Sequence, residues 1–457
     1  MIRLEFLKNE LVFVMGLGRT GISAIKSLLI SGARVIAYSD NHDEMENISR
    51  SFLECVSFQF PSEEEWGSIS IMVLSPGLPK NHRVFSMCSL YKVVPMSDIE
   101  LLQIANPDAK YIGVTGTNGK STTTALIHHV LSENGIKSQM GGNIGVPALS
   151  LENTADKNEF YVIEVSSFQL EWFHKMHFNI AICLLITPDH IDFHGTFSDY
   201  VNAKAKIFDN QSNGDVAIIS VDNNTNLKLY SLLDRKENDV LKVQISTEYR
   251  LNEGVSIIDS KLYRSVGSDS DMYEFISPPS LKGDHNAQNM ASVFSACTAA
   301  GVKPEDVFRS FQTFKSLPHR MERFLKLDSG LEFVDDSKAT NAVSTYYALE
   351  SYDDIYWIAG GRSKDAGIKV LIPLFQKINH AFLIGESAQE FALILEKNEV
   401  PFTLTQTLEK AVVLIKELNP QSGVVLLSPS CASFDQWKNF EERGSAFKRL
   451  VLERWSN

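Results

Sequence analysis

Several things are scarce in this sequence, and each scarcity excludes a class of protein. The 457 residues hold only five cysteines, Cys55, Cys88, Cys183, Cys297 and Cys431. They are odd in number, far apart and free of Cys-x-x-Cys spacing. That argues against a disulfide framework or a zinc site and for reduced thiols in a cytoplasmic protein. No apolar run reaches the ~18 residues of a spanning helix. The longest candidate, Asn179 to Thr187, stops at Pro188-Asp189-His190. The opening Met1-Ile2-Arg3-Leu4-Glu5 is acidic where a secretory signal would be apolar. Positive charge is also short: 43 Lys and Arg against 56 Asp and Glu leave a net −13. No global field invites nucleic acid, so an anionic ligand must be held by a local constellation.

What is present is an alternation of short β-branched runs with longer amphipathic segments. Leu11–Met15, Arg34–Tyr38, Ile69–Leu74, Tyr111–Thr115, Phe160–Val165, Ile180–Ile186, Val216–Ser220, Ile355–Ile358, Ala381–Ile384 and Val424–Leu427 read as strands. Most lack period-2 alternation, as strands buried on both faces of a parallel sheet do. The fold class is therefore α/β. Glycine-bearing strand ends near 16, 116 and 360 suggest three consecutive units. Plausible joints follow Pro95-Met96-Ser97-Asp98 and lie at Ser316-Leu317-Pro318-His319, giving 1–100, 101–316 and 317–457. The Ser- and Asp-rich stretch 248–280 reads as hairpins on the middle unit's edge.

Residues 111–124 carry the strongest local signal. An apolar strand enters Thr115-Gly116-Thr117-Asn118-Gly119-Lys120-Ser121-Thr122, and the helical pattern Ala125–Glu133 follows. Backbone N–H groups of such a turn hold phosphate oxygens, Lys120 neutralises them, and Ser121 can ligate magnesium. The Walker spacing wants glycine at 114, where Val114 stands. Two strand ends offer further ligands, Glu164 and the Thr187-Pro188-Asp189-His190 stretch. In a parallel sheet both project at the carboxyl edge, beside the glycine turn. The other glycine motif, Gly16-Leu17-Gly18-Arg19-Thr20-Gly21, is followed by a helix over Ile22–Ile30 and by Asp40. A dinucleotide or a nucleotide-sugar diphosphate would satisfy its N–H groups, with the acid on a ribose hydroxyl.

Together these residues resemble the Mur ligases, over essentially the whole chain. The resemblance rests on the 115–122 turn and Gly142-Asn143-Ile144-Gly145. It continues through Glu164-Val165-Ser166-Ser167-Phe168-Gln169-Leu170-Glu171, Asp189-His190-Ile191-Asp192 and Gly283-Asp284-His285-Asn286-Ala287-Gln288-Asn289. It ends in Leu317-Pro318-His319-Arg320, Asp336-Ser337-Lys338-Ala339-Thr340-Asn341 and the 428–444 region. It implies three domains: a Rossmann-like domain for UDP, a P-loop ATPase domain and a Rossmann-like domain presenting an amino acid. It implies Gly18, Arg19, Thr20, Asp40 and Gly77 for UDP, and Asn143, Ser166 and Gln169 for the muramoyl-alanine arm. Gly116, Thr117, Asn118, Gly119, Lys120, Ser121 and Thr122 would hold ATP phosphates, with Asn289, Arg320 and Asp336 on the rest of the nucleotide. Ser121, Glu164, His190 and a carbamylated Lys204 would hold magnesium, two ions in all. Lys120, Glu164, His190 and Lys204 form the implied catalytic set.

The absence of an Asp-Asn-Pro-Arg stretch argues against the diaminopimelate-adding branch. The Ser-Ser-Phe-Gln-Leu-Glu, Asp-Ser-Lys-Ala-Thr-Asn and Cys-Ala-Ser-Phe-Asp-Gln stretches point to D-glutamate as the incoming amino acid and UDP-N-acetylmuramoyl-L-alanine as the acceptor. Lys338, Thr340, Lys364, Ser433, Phe434 and Phe440 would then hold D-glutamate. A cytoplasmic monomer is expected, without membrane or nucleic-acid partners. Three departures concern Arg19, where an apolar residue is common, Phe193, where arginine is frequent, and Trp437, where phenylalanine is common. Read without the resemblance, residues 16–21 alone allow an NAD-dependent oxidoreductase and 116–121 alone a P-loop kinase. The first leaves Lys120, Glu164 and His190 idle, and the second leaves both flanking units idle.

Overall fold

The computed structural model describes all residues except 53–54, 144, 236–238, 268, 279–280, 282, 364–366, 456–457 and the side chains of 269, 284 and 285. Three sheets form around buried, largely apolar central strands. The first holds β1 (Leu11–Met15), β2 (Arg34–Tyr38), β3 (Val56–Phe58), β4 (Ile69–Leu74) and β5 (Val94–Met96) in the parallel order 3-2-1-4-5. The second holds β6 (Lys110–Thr115), β7 (Ser138–Gly142), β8 (Phe160–Glu164), β9 (Ile180–Cys183), β10 (Val216–Ser220), β11 (Leu241–Ser246), β12 (Gly254–Ile258), β13 (Lys261–Val266) and β14 (Asp269–Glu274). Its order is 14-13-12-11-10-9-6-8-7, and β12–β13–β14 are the antiparallel hairpins expected on its edge. The third holds β15 (Glu322–Lys326), β16 (Leu331–Asp335), β17 (Ile355–Gly360), β18 (Ile378–Ile384), β19 (Phe402–Gln406) and β20 (Gly423–Leu427) in the order 15-16-20-17-18-19.

Each glycine turn follows a strand where the winding reverses. β1 lies between β2 and β4, β6 between β8 and β9, and β17 between β18 and β20. Crevices at such switch points are where open α/β sheets take ligands. Residues 1–276 with 287–313 form one compact unit, and 277–286 with 314–457 form another. Within the first unit the core runs on from one sheet to the next. Ile2, Leu4, Ile99 and Leu101 share a buried cluster with Ala148, Leu149 and Tyr161.

Several boundaries differ from expectation, and two beside the site do so for local reasons. The strand expected over Ile180–Ile186 pairs only to Cys183. Beyond it, Leu184 N–H bonds Thr115 O, and the buried Asn226 amide takes Leu184 O and Ile186 N–H, so a side chain replaces the ladder. The helix expected from Ala125 begins at Lys120, because the glycine turn sets its first turn ahead of the Thr-rich run.

Candidate active site

At the carboxyl end of β6 the chain turns through Gly116 (φ 141°) and Gly119 (φ 81°) into the helix Lys120–Glu133. A side chain at Gly116 would lie 2.7 Å from Leu184 Cβ, and one at Gly119 would lie 2.4 Å from Asn289 Oδ1. Val114 needs no such freedom, because it pairs inside β6, opposite Glu164 and Ile182. That is why the Walker glycine is dispensable here. The Lys120 ammonium folds onto the turn and donates to Gly116 O (3.0 Å) and Thr117 O (2.8 Å). Ser121 is buried in the first helical turn. Asn289 Oδ1 accepts from Thr123 Oγ1 at 3.1 Å, so the expected adenine-contacting residue is fastened to the phosphate-loop helix.

The other expected residues of this site reach the same edge. Glu164 ends β8, is 2% exposed, and accepts from Asn143 Nδ2 at 2.8 Å. His190 sits in a left-handed turn (φ 53°), its ring edge-on to Phe168 at 4.9 Å. Phe193 also packs edge-on against Phe168, at 4.5 Å, so the unusual residue contributes an aromatic contact. Lys204 comes from the helix Phe197–Ala205 and is 2% exposed. It donates to Gly116 O at 2.8 Å and lies 4.7 Å from the Tyr200 ring. Burial first, and then the Lys120 charge, hold its ammonium well below the usual lysine range. Tyr200 was not singled out by sequence, yet its hydroxyl meets Thr117 Oγ1 at 3.0 Å, which fixes the loop carrying Lys120. The lone Tyr in Tyr200-Val201-Asn202-Ala203-Lys204 gave no signal beyond its helical spacing to Lys204.

A cleft of about 250 Å³ opens beside the first glycine turn, lined by Gly18, Arg19, Thr20, Asn143, Gly145 and Gln169 among others. A Cβ on Gly21 would lie 1.9 Å from Gly16 O, so that glycine serves close helix–strand contact. A Cβ on Gly18 or Gly77 would meet nothing within 4 Å, so the space beside them is open to a ligand. The Arg19 guanidinium donates to Gly145 O, tying the first turn to the 142–147 loop. Ser166 and Gln169 cap one short helix reciprocally, with Gln169 Oε1 taking Ser166 N–H (3.1 Å) and Oγ–H (3.0 Å). Asp40 stands at the end of β2, bonded to His82.

In the other unit, Lys338 Nζ lies 4.6 Å over the Phe440 ring, and Ser337 Oγ bonds Phe440 O at 2.8 Å. Phe434 is 62% exposed, which removes core packing as its explanation. Ser433 is buried, Thr340 is half-buried, and Lys364 lies outside the described residues. Asp336 Oδ2 accepts from Ser428 Oγ (2.8 Å) and Oδ1 from Met321 N–H (3.2 Å). Burial raises its carboxyl to about 7, opposed by those bonds and by Arg320. Arg443, fully buried, ties both motif loops together: Nε to Ser337 Oγ (3.0 Å), Nη2 to Ser337 O (2.8 Å) and Cys431 O (3.0 Å). Among the described residues, the tight His–carboxylate cluster lies at His319, Glu322 and Asp335, outside the expected metal set. Lys448 Nζ sits 2.8 Å from Glu322 there, so a lysine supplies the compensating charge.

The sequence profile described as the Mur ligase middle domain matches residues 114–297. The UDP-N-acetylmuramoylalanine–D-glutamate ligase of Wolbachia pipientis is 39% identical, over 98% of this chain and 97% of its own. That of Agrobacterium fabrum is 39% identical, over 99% and 97%. Among solved structures, the MurF ligase from Thermotoga maritima in complex with ADP superposes with a TM-score of 0.61 at 14% identity, over 99% of this chain and 97% of its own. At that identity the likeness is one of fold.

Proposed function

The chain belongs to the UDP-N-acetylmuramoylalanine–D-glutamate ligases of the Mur ligase family, and from that premise we propose how its residues make the bond. It is an ATP-dependent ligase that joins D-glutamate to UDP-N-acetylmuramoyl-L-alanine in peptidoglycan precursor synthesis. The alanyl carboxylate takes the γ-phosphoryl group of ATP and ADP leaves. The D-glutamate amine then attacks the acyl phosphate, expels phosphate, loses a proton and forms the amide. Gly116 to Thr122 hold the phosphates, and Lys120 swings from its loop carbonyls onto the transferring group. Asn289, Arg320 and Asp336 hold the rest of the nucleotide. Gly18, Arg19, Thr20, Asp40 and Gly77 hold UDP, and Asn143, Ser166 and Gln169 line the path of the alanyl arm. Lys338, Thr340, Lys364, Ser433, Phe434 and Phe440 hold D-glutamate, two lysines suiting two carboxylates.

Ser121 and Glu164 offer the hard oxygen donors that fit magnesium, and with His190 binding or positioning it they would hold it, two ions with Lys204 included. Bound there, magnesium supplies electrostatic stabilisation of phosphoryl oxygens. Lys204 fits only if changed, because an ammonium would repel the metal. Its amine adds to carbon dioxide, losing a proton, to give a carbamate oxygen ligand. The three sheets act as three domains with joints near 100 and 316, in a cytoplasmic monomer.

One observation carries this reading. Lys120 and the buried Lys204 both bond Gly116 O, at the sheet edge that also holds Glu164 and His190. Purified protein given ATP, magnesium and UDP-N-acetylmuramoyl-L-alanine should release phosphate with D-glutamate and not with L-lysine or diaminopimelate. Equal release with all three would sink the specificity.

A further inference from the structure

The loop from Ser75 to His82, after β4, lines the cleft at its Ser75 end and meets Asp40 at its other end. Its first residue donates Ser75 Oγ–H to Gly16 O at 3.2 Å, against the first glycine turn. Its last, His82, caps the helix Arg83–Tyr91 and reaches the end of β2. His82 Nδ1 accepts Val84 N–H at 3.1 Å. A ring nitrogen that accepts from an amide must carry a lone pair. The proton is therefore on Nε2, which donates to Asp40 Oδ2 at 3.0 Å. The next residue is braced too, because the Arg83 guanidinium lies 4.0 Å over the Phe60 ring and 3.4 Å from Tyr38 Oη. The His82 side chain is 15% exposed and that of Asp40 is 54%, so a shielded donor holds an accessible acid. Asp40 makes no second hydrogen bond among the described residues.

Capping alone does not require this arrangement. The cap uses Nδ1, and Asn, Asp or Ser would serve it as well. The Nε2 contact fixes something else, the carboxylate that a glycine-turn fold aims at a ribose hydroxyl. We propose that His82 is a positioning residue for the UDP half of the substrate: its Nε2–H clamps Asp40 Oδ2 and leaves Oδ1 set to accept from a ribose hydroxyl. This rests on the assignment to UDP of the cleft beside Gly18 and Arg19.

The test compares His82→Asn, which keeps a cap acceptor and loses the reach to Asp40, with His82→Gln, whose amide can still donate there. Asp40→Asn and the His82→Asn/Asp40→Asn double variant complete the set, each checked for an intact thermal transition. His82→Asn should raise the KM for UDP-N-acetylmuramoyl-L-alanine about tenfold, the scale of a hydrogen bond to a charged group. The kcat and the KM for ATP should stay within about twofold. His82→Gln should recover part of the loss, and the double variant should be no worse than Asp40→Asn alone. A normal KM in His82→Asn beside an impaired Asp40→Asn overturns the positioning role alone. A normal KM in Asp40→Asn overturns both that role and the UDP assignment.

Discussion

Burying a lysine ammonium costs several kcal/mol unless something compensates it. Among the described residues, Lys204 is met by the Gly116 carbonyl, a longer contact to Thr115 Oγ1 (3.4 Å) and the Tyr200 ring. No carboxylate lies within ion-pair distance among the described residues. These groups favour a cation weakly, so the site suits the neutral amine, which is the form that adds carbon dioxide. Lys204→Ala should lose most of its phosphate release, because it removes the anionic oxygen the carbamate would present. Small carboxylates such as formate or acetate should restore part of it by standing in the vacated space. Lack of rescue at any concentration, in a variant that still binds ATP, would remove the carbamate from the account.

Strand ends explain why so much of the site was legible at the scale of elements, and why some was not. Residues 160–163 of β8 and all of Ile180–Cys183 are uninterrupted apolar runs buried along their whole length, and a sequence announces such strands by composition. Glu164, which closes the first of them, and the 187–190 stretch beyond the second were therefore findable from order alone. Short edge strands such as Val56–Phe58, Val94–Met96 and Ser138–Gly142 carry Ser, Pro or Gly and no such run, so they were missed. Asn226, Tyr200, His82 and Arg443 were not legible as supports of the candidate sites for another reason. Each acts on a partner distant in sequence, and that partnership exists only once the sheets are built. Arg443 illustrates it, bridging Ser337 and Cys431, 94 residues apart, from one guanidinium. A lysine ammonium has no fork to span both loops. Arg443→Lys should cost about 2 kcal/mol in stability and raise the KM for D-glutamate severalfold, with the KM for the UDP substrate unmoved. Unaltered D-glutamate kinetics in the folded variant would refute the bridge's role.

For the whole molecule, a net charge of −13 sits beside ligands that are all anionic, so the proposed binding relies on placed groups such as Lys120, Arg19 and Lys338. The same acidity makes two buried carboxyls notable, one in each compact unit. Desolvation raises Asp98, 1% exposed, to about 6 and Asp336 to about 7. An unfolded aspartate ionises near ~4. Below that value both states hold the proton and the contribution is complete. As pH climbs toward 6, the unfolded chain gives up a proton that folded Asp98 keeps, so this part of the stability declines and then levels off. Exposed pairs run the other way, as at Glu386, which its hydrogen bond from Arg362 holds below the ordinary value. A single melting curve against pH therefore mixes both signs, and the difference between two proteins isolates one. Asn at 98 keeps the shape and cannot ionise. Asp98→Asn should gain melting temperature relative to the parent protein as pH rises from 4 to 7, most steeply near 5, with the gap constant above 7. Asp336→Asn should show the same divergence in the other unit, reaching its plateau about one pH unit higher. Parallel curves for parent and Asp98→Asn across that range would mean that Asp98 ionises alike in both states, and the charge would then have to be compensated where the fold provides only Ser97 Oγ at 3.3 Å and neighbouring amides.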